Sequence, residues 1–241
     1  MRRLLLSAAT AVALVAGGLV LQWVPSPGAP GSGASPGGGD EFTVAGDGSL
    51  PEQRPALREP GAPLSTAERG YAIGLALTAL PGSSRDVLDQ PGAEVLAADL
   101  PAPSERAGRR RVEVSAYDYD DNRLHQVLLD LATGRVIAEQ TLRGVQLPPS
   151  AAETQVAIDL ALSAMPAPAF VDQFRQLTGG PLLTPEQVGV IAGTTSGCGQ
   201  NRCVQLLVAL PSGRYLSTDD FVVNLSRRTV TLLPAGGHRH G

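Results

Sequence analysis

Lysine is absent: all 19 basic residues are arginine. The bias reads as that of a GC-rich genome, but it excludes a lysine Schiff base or a lysine general base. Aromatics make up only 4% of the chain, but the remainder can still fold around an aliphatic core of Leu, Val, Ile and Ala. There are three histidines, His125, His238 and His240, and two of them sit at the C-terminal end, which leaves little for acid–base chemistry. The patterns G-x-S-x-G, P-loop and H-E-x-x-H are all missing. The net charge is −4 and the one basic run is Arg109-Arg110-Arg111, which reads as a solvated strand start. A nucleic-acid partner would need a clustered basic face, so none is expected. No cofactor, catalytic residue or metal ligand is expected either.

Glycine (28) and proline (20) are plentiful, and they concentrate near the N-terminus. Met1-Arg2-Arg3 precedes an uncharged stretch from Leu4 to Val24. A short basic start before an apolar run is an export signal, and the run is about the ~20 residues that span a bilayer. Pro30 follows Ala29, where a cleaved signal would end, so a retained anchor and a cleaved signal both stay open. The arginine pair resembles a twin-arginine signal, though its surroundings match poorly. Either way the remainder is expected outside the cytoplasm, secreted or held at the membrane by residues 4–24. Residues 25–61 read as a Pro/Gly/Ser linker without apolar periodicity. Residues 235–241 read as a frayed tail in which His238 and His240 are incidental.

Between these ends lies an internal repeat. Pro63-Leu64-Ser65-Thr66-Ala67-Glu68 opens one copy and Pro148-Pro149-Ser150-Ala151-Ala152-Glu153 the other, an offset of 85 residues from Ser65 to Ser150. In each, the serine can cap a helix and the glutamate three residues on can close a capping box. Ile73, Ala76, Leu77 and Leu80 form an apolar stripe, and Ile158, Ala161, Leu162 and Met165 repeat it. Pro81 and Pro166 end the helices. Strands follow. In the first copy they are Val112 to Val114, His125 to Leu131 and Val136 to Leu142, with turns at Asp120-Asp121-Asn122 and Thr133-Gly134. In the second they are Val188 to Thr195, Val204 to Leu210, Phe221 to Leu225 and Thr229 to Leu233. Leu131 matches Leu225 and Val136 matches Val230. The expected fold class is α+β: two tandem units, 62–147 and 148–234, each one helix on a curved antiparallel sheet.

Cys198 and Cys203 are the only cysteines. In an oxidising compartment they are expected to form a local disulfide. Asp118-Tyr119-Asp120-Asp121-Asn122 starts like a calcium loop, but Arg123 stands where glycine is needed and Leu129 where glutamate is needed. It reads as an acidic turn.

The repeat's helix openings, with Leu128-Leu129-Asp130-Leu131-Ala132-Thr133-Gly134-Arg135-Val136 between them, resemble the paired N-terminal, cystatin-like domains of copper amine oxidases. The resemblance covers roughly Ala62 to Pro234. It implies the fold and not the activity. The family's quinone-forming tyrosine sits in an Asn-Tyr-Asp/Glu setting, and Tyr117-Asp118 and Tyr119-Asp120 lack the preceding Asn. His238-Arg239-His240 matches the family's copper-binding His-x-His only in letters, and the chain is expected to lack the catalytic domain. The unit is also similar to PepSY-type domains, some of which restrain peptidases. The functional expectation is thus an exported, non-catalytic envelope protein: an interaction or accessory module with a protein partner of unknown identity, or else a PepSY-like peptidase inhibitor or regulator.

Overall fold

The structure is a computed structural model that describes residues 54–233. The expected membrane segment, most of the linker and the tail with His238 and His240 lie outside the described residues. Among the described residues no helix is long and apolar enough to cross a membrane.

The first helix, α1 (Thr66–Ala79), begins at Ser65, whose side chain accepts from the Glu68 amide while the Glu68 carboxylate accepts from the Ser65 amide. The third helix, α3 (Ala151–Ser163), begins at Ser150 with the same reciprocal pair to Glu153. Strands β1 (Glu94–Asp99), β2 (Arg111–Asp118), β3 (Arg123–Asp130) and β4 (Arg135–Leu142) form one antiparallel sheet in the order 1-2-3-4. A single-turn helix, α2 (Pro103–Arg106), links β1 to β2. The second sheet contains β5 (Gly189–Thr194), β6 (Cys203–Ala209), β8 (Phe221–Asn224) and β9 (Thr229–Leu232) in that order. The short β7 (Tyr215–Leu216) pairs beside them on β6. A further helix, α4 (Ala169–Thr178), and a 3-10 turn (Pro185–Gln187) connect α3 to β5. The fold class is α+β, as expected.

Each sheet turns one face to its helix, because alternate strand residues point to the same side. Val112, Val114 and Ala116 of β2 meet Val127, Leu129 and Leu131 beneath Ala72, Ile73, Ala76 and Leu80. In the second half Val204, Leu206 and Val208 meet Phe221, Val223 and Leu225 beneath Val156, Ala157, Ile158 and Ala161. The β3–β4 turn and its counterpart share more than pattern. Leu131 and Leu225 donate to the carbonyls of Arg110 and Arg202, at 3.0 and 2.9 Å.

Three expectations need correction. Met165 does not continue the apolar stripe: α3 stops at Ser163, so Met165 lies beyond the helical register and is 94% exposed. Phe170 and Phe174 of α4 enter that core instead. Arg110 is no solvated strand residue; it is buried. Finally, β1, α2, α4 and β7 were not anticipated.

Candidate functional site

The most elaborate polar arrangement grows from the two capping boxes. In the first half Arg110 reaches Glu68 through Nε to Oε1 (2.7 Å) and Nη2 to Oε2 (2.8 Å), a bidentate pair. Its Nη1 also donates to the carbonyl of Ala62 (2.6 Å) and its Nη2 to that of Pro63 (3.2 Å). In the second half Arg202 reaches Glu153 through Nε to Oε1 (2.9 Å) and Nη2 to Oε2 (2.8 Å). Its Nη1 donates to Leu147 (2.7 Å) and its Nη2 to Pro148 (3.3 Å). Leu147 and Pro148 stand 85 residues from Ala62 and Pro63. The repeated feature is therefore a capping box locked by a buried arginine, which also anchors the chain entering the helix.

Beyond the capping amide and the arginine the donors differ, and here the halves part: Glu68 Oε2 also accepts from the Ser65 hydroxyl at 3.0 Å. Glu68 Oε1 accepts from the Arg58 amide at 2.9 Å. Glu153 Oε1 accepts from the Tyr119 hydroxyl at 2.6 Å, a residue contributed by the first half. Tyr117 lies edge-on to Tyr119, with centroids 4.9 Å apart, and the Arg202 guanidinium stands 5.7 Å over the Tyr117 ring. Burial, then the charge of Glu153, pushes the Tyr119 phenol far up, so it serves as a permanent donor. Burial alone would pull Arg202 down, but the hydrogen-bonded Glu153 carboxylate holds it above its usual value. The Arg110 hydrogen bonds bring Glu68 down to about 2 against the opposing effect of burial. Glu94 lies nearby, pushed up by burial and by the Glu153 charge and eased by a hydrogen bond with Ser150. Glu68 and Glu153 are saturated with donors; their chemistry is that of a lock.

Cys198 and Cys203 form the expected disulfide, with Cα atoms 6.3 Å apart. Arg202 immediately precedes Cys203, so the staple closes the loop that delivers this arginine. The side chain of Gln146 clamps the same loop, donating to the Asn201 carbonyl (2.9 Å) and accepting from the Cys203 amide (3.3 Å).

The acidic turn after β2 also gathers partners. Asp118 and Asp121 lie with His125 of β3, one ligand-type atom from each within 4.8 Å of the others. His125 is distant from the other two histidines in sequence, yet the β2–β3 register sets Asp118 opposite Arg123 and brings His125 alongside.

No family model matches the sequence, and no curated protein matches it. Among solved structures, it is similar to a copper-containing benzylamine oxidase from Hansenula polymorpha, at 17% identity and a TM-score of 0.45. The match covers 75% of this chain and 31% of that one, so the chain spans about a third of the oxidase's length.

Proposed function

We propose that this is an exported, non-catalytic envelope protein that acts as an interaction or accessory module. The observation that carries this reading is the outer face of the second sheet. Ile191 of β5 pairs directly with Leu207 of β6, and Tyr215 of β7 pairs with Ala209 of β6. Ile191, Leu207 and Tyr215 are 65%, 43% and 62% exposed. Strand alternation puts them opposite the buried Val204, Leu206 and Val208, so they form an apolar group facing water. The saturated state of Glu68 and Glu153 supports a structural rather than an acid–base use of the buried carboxylates. The disulfide fits an oxidising compartment, and the basic start before Leu4 to Val24 supports export. Kinship with amine oxidase N-terminal domains belongs to the same proposal and rests on the motifs of the repeat.

The test is in-cell cross-linking followed by recovery of the full-length chain. A protein partner should be enriched with the natural sequence and lost with Ile191→Asp/Leu207→Asp, whose outward positions leave the core intact. Failure to enrich any protein over a control bait would end the reading. Hydrogen peroxide release from a primary amine by the purified, copper-supplied chain would overturn its non-catalytic part.

A further inference from the structure

We propose that Asp118, Asp121 and His125 form a binding site for a divalent first-row transition ion, of which Zn2+ is the representative probe. The site goes beyond the interaction reading and stands independently of it. Three observations converge. The ligand atoms lie within 4.8 Å of one another. Bonds of about 2.1 Å in tetrahedral geometry would set them roughly 3.4 Å apart, so binding would draw the three side chains together, with Asp121, more than a third exposed, the freest to move.

The second observation is the imidazole. The His125 side chain is 5% exposed, and its Nε2 has no hydrogen-bond partner among the described residues. A buried unpaired ring nitrogen is costly unless something meets it. Its other nitrogen, Nδ1, lies 3.3 Å from Glu139 Oε1 and 3.4 Å from Thr141 Oγ1. A carboxylate on the far nitrogen is the usual support of a metal-binding histidine, because it fixes the tautomer and raises ligand basicity.

The third is the state of Asp118. This buried carboxylate accepts from the Arg85 amide (3.0 Å) and the Asp120 amide (2.9 Å), both on Oδ1. Two backbone donors fix its orientation and leave Oδ2 to face an ion. Asp121 is held 2.9 Å from Arg123 Nε, and both side chains are more than a third exposed, so the arginine can swing to solvent when a cation arrives. One imidazole and two carboxylates suit a borderline ion. Ca2+ asks for six to eight oxygens, which this turn does not offer. The ion would also clamp the turn that carries Tyr119 to Glu153.

The experiment titrates ZnCl2, and Co2+ with its visible absorption, into the full-length chain carrying His238→Ala and His240→Ala, so that the tail cannot contribute. One ion should bind per chain, more tightly than Ca2+. His125→Gln should abolish binding. Glu139→Gln should weaken it by about 10- to 100-fold. Asp121→Asn, at a solvent-facing position that leaves the fold intact by circular dichroism, should weaken it by about tenfold or more. Absence of saturable Zn2+ or Co2+ binding would overturn the site. So would unchanged affinity in folded Asp121→Asn, or a preference for Ca2+.

Discussion

The two halves use one lock but deliver its arginine by different routes. Arg110 arrives behind the single-turn helix α2, through Ala107 and Gly108, both in the left-handed region at φ 48° and 69°. Arg202 arrives from a loop closed by Cys198–Cys203. The further donor to Oε1 differs too: the Arg58 amide, from the chain just ahead of the first helix, serves Glu68, whereas a tyrosine of the other half serves Glu153. The first half therefore closes its network with its own residues, while the second half borrows from its neighbour and adds a covalent staple. What is held constant is the buried Arg–Glu pair; the means of positioning it drifted.

Breaking the lock should have the largest effect. Arg110→Met or Arg202→Met leaves a buried carboxylate without its counter-charge, a loss of about 3–5 kcal/mol in urea unfolding. Replacing both partners of one pair, as in Glu68→Leu/Arg110→Met, should cost clearly less than Arg110→Met alone. The first lock also has a pH signature. Its arginine holds Glu68 at about 2 when folded, against an ordinary value near 4.5. The stabilisation is therefore complete above about pH 4.5 and fades as pH falls towards 2. Arg110→Met should flatten the acid limb of stability against pH, and an unchanged limb would refute this assignment.

Removing the staple comes next. Cys198→Ser/Cys203→Ser, or reduction, frees a loop whose closure is worth about 2 kcal/mol. The loss should appear as faster hydrogen exchange near the start of β6 and α3, since the same loop carries Arg202. The first half, with no cysteine of its own, should keep its protection.

How much of this was readable in sequence follows from distance along the chain. The capping boxes are local, Ser to Glu in three residues, and both form as the pattern says. Their arginine partners are 42 and 49 residues away from the glutamates. The offset between copies has also changed by then, from 85 at the helices to 92 at Arg110 and Arg202, so the repeat hides their equivalence. Arg110 sits among three arginines, of which Arg109 is exposed and pairs with Asp130, and charge alone does not say which one turns inward. Helix α4 is masked by Pro166 and Pro168, although Phe170 and Phe174 at i, i+4 carry its buried face. Asp118, Asp121 and His125 meet only through the register of a hairpin.

Tyr119→Phe tests the borrowed donor. A hydrogen bond to a charged acceptor gives about 1.5 kcal/mol or somewhat more, and the first lock has a backbone amide, that of Arg58, in its place. The loss should fall on both halves at once if the tyrosine couples them. Double-mutant cycles with Arg202→Met should show strong coupling, and those with Arg110→Met none. Equal coupling to both arginines would break the claim that only the second lock is shared.

The smallest effect concerns the turns after β3 and β8. Gly134 (φ 66°) and Arg228 (φ 52°) occupy the same place, 94 residues apart, and both are left-handed. Gly134→Ala should cost about 1–2 kcal/mol from backbone strain, and its Cβ would also press on the Tyr71 hydroxyl, at 2.9 Å, which must shift. The reverse change, Arg228→Gly, relieves a similar strain but gives the unfolded chain about 0.5–1 kcal/mol of extra freedom. It also removes the bond from Arg228 Nη1 to the Val87 carbonyl, 2.9 Å long and joining the halves, a further loss of about 1 kcal/mol. These effects nearly cancel, so the urea midpoint should hardly move. A clear rise in stability would mean that the Arg228–Val87 bond contributes nothing, leaving Tyr119 with a larger part in holding the second half to the first.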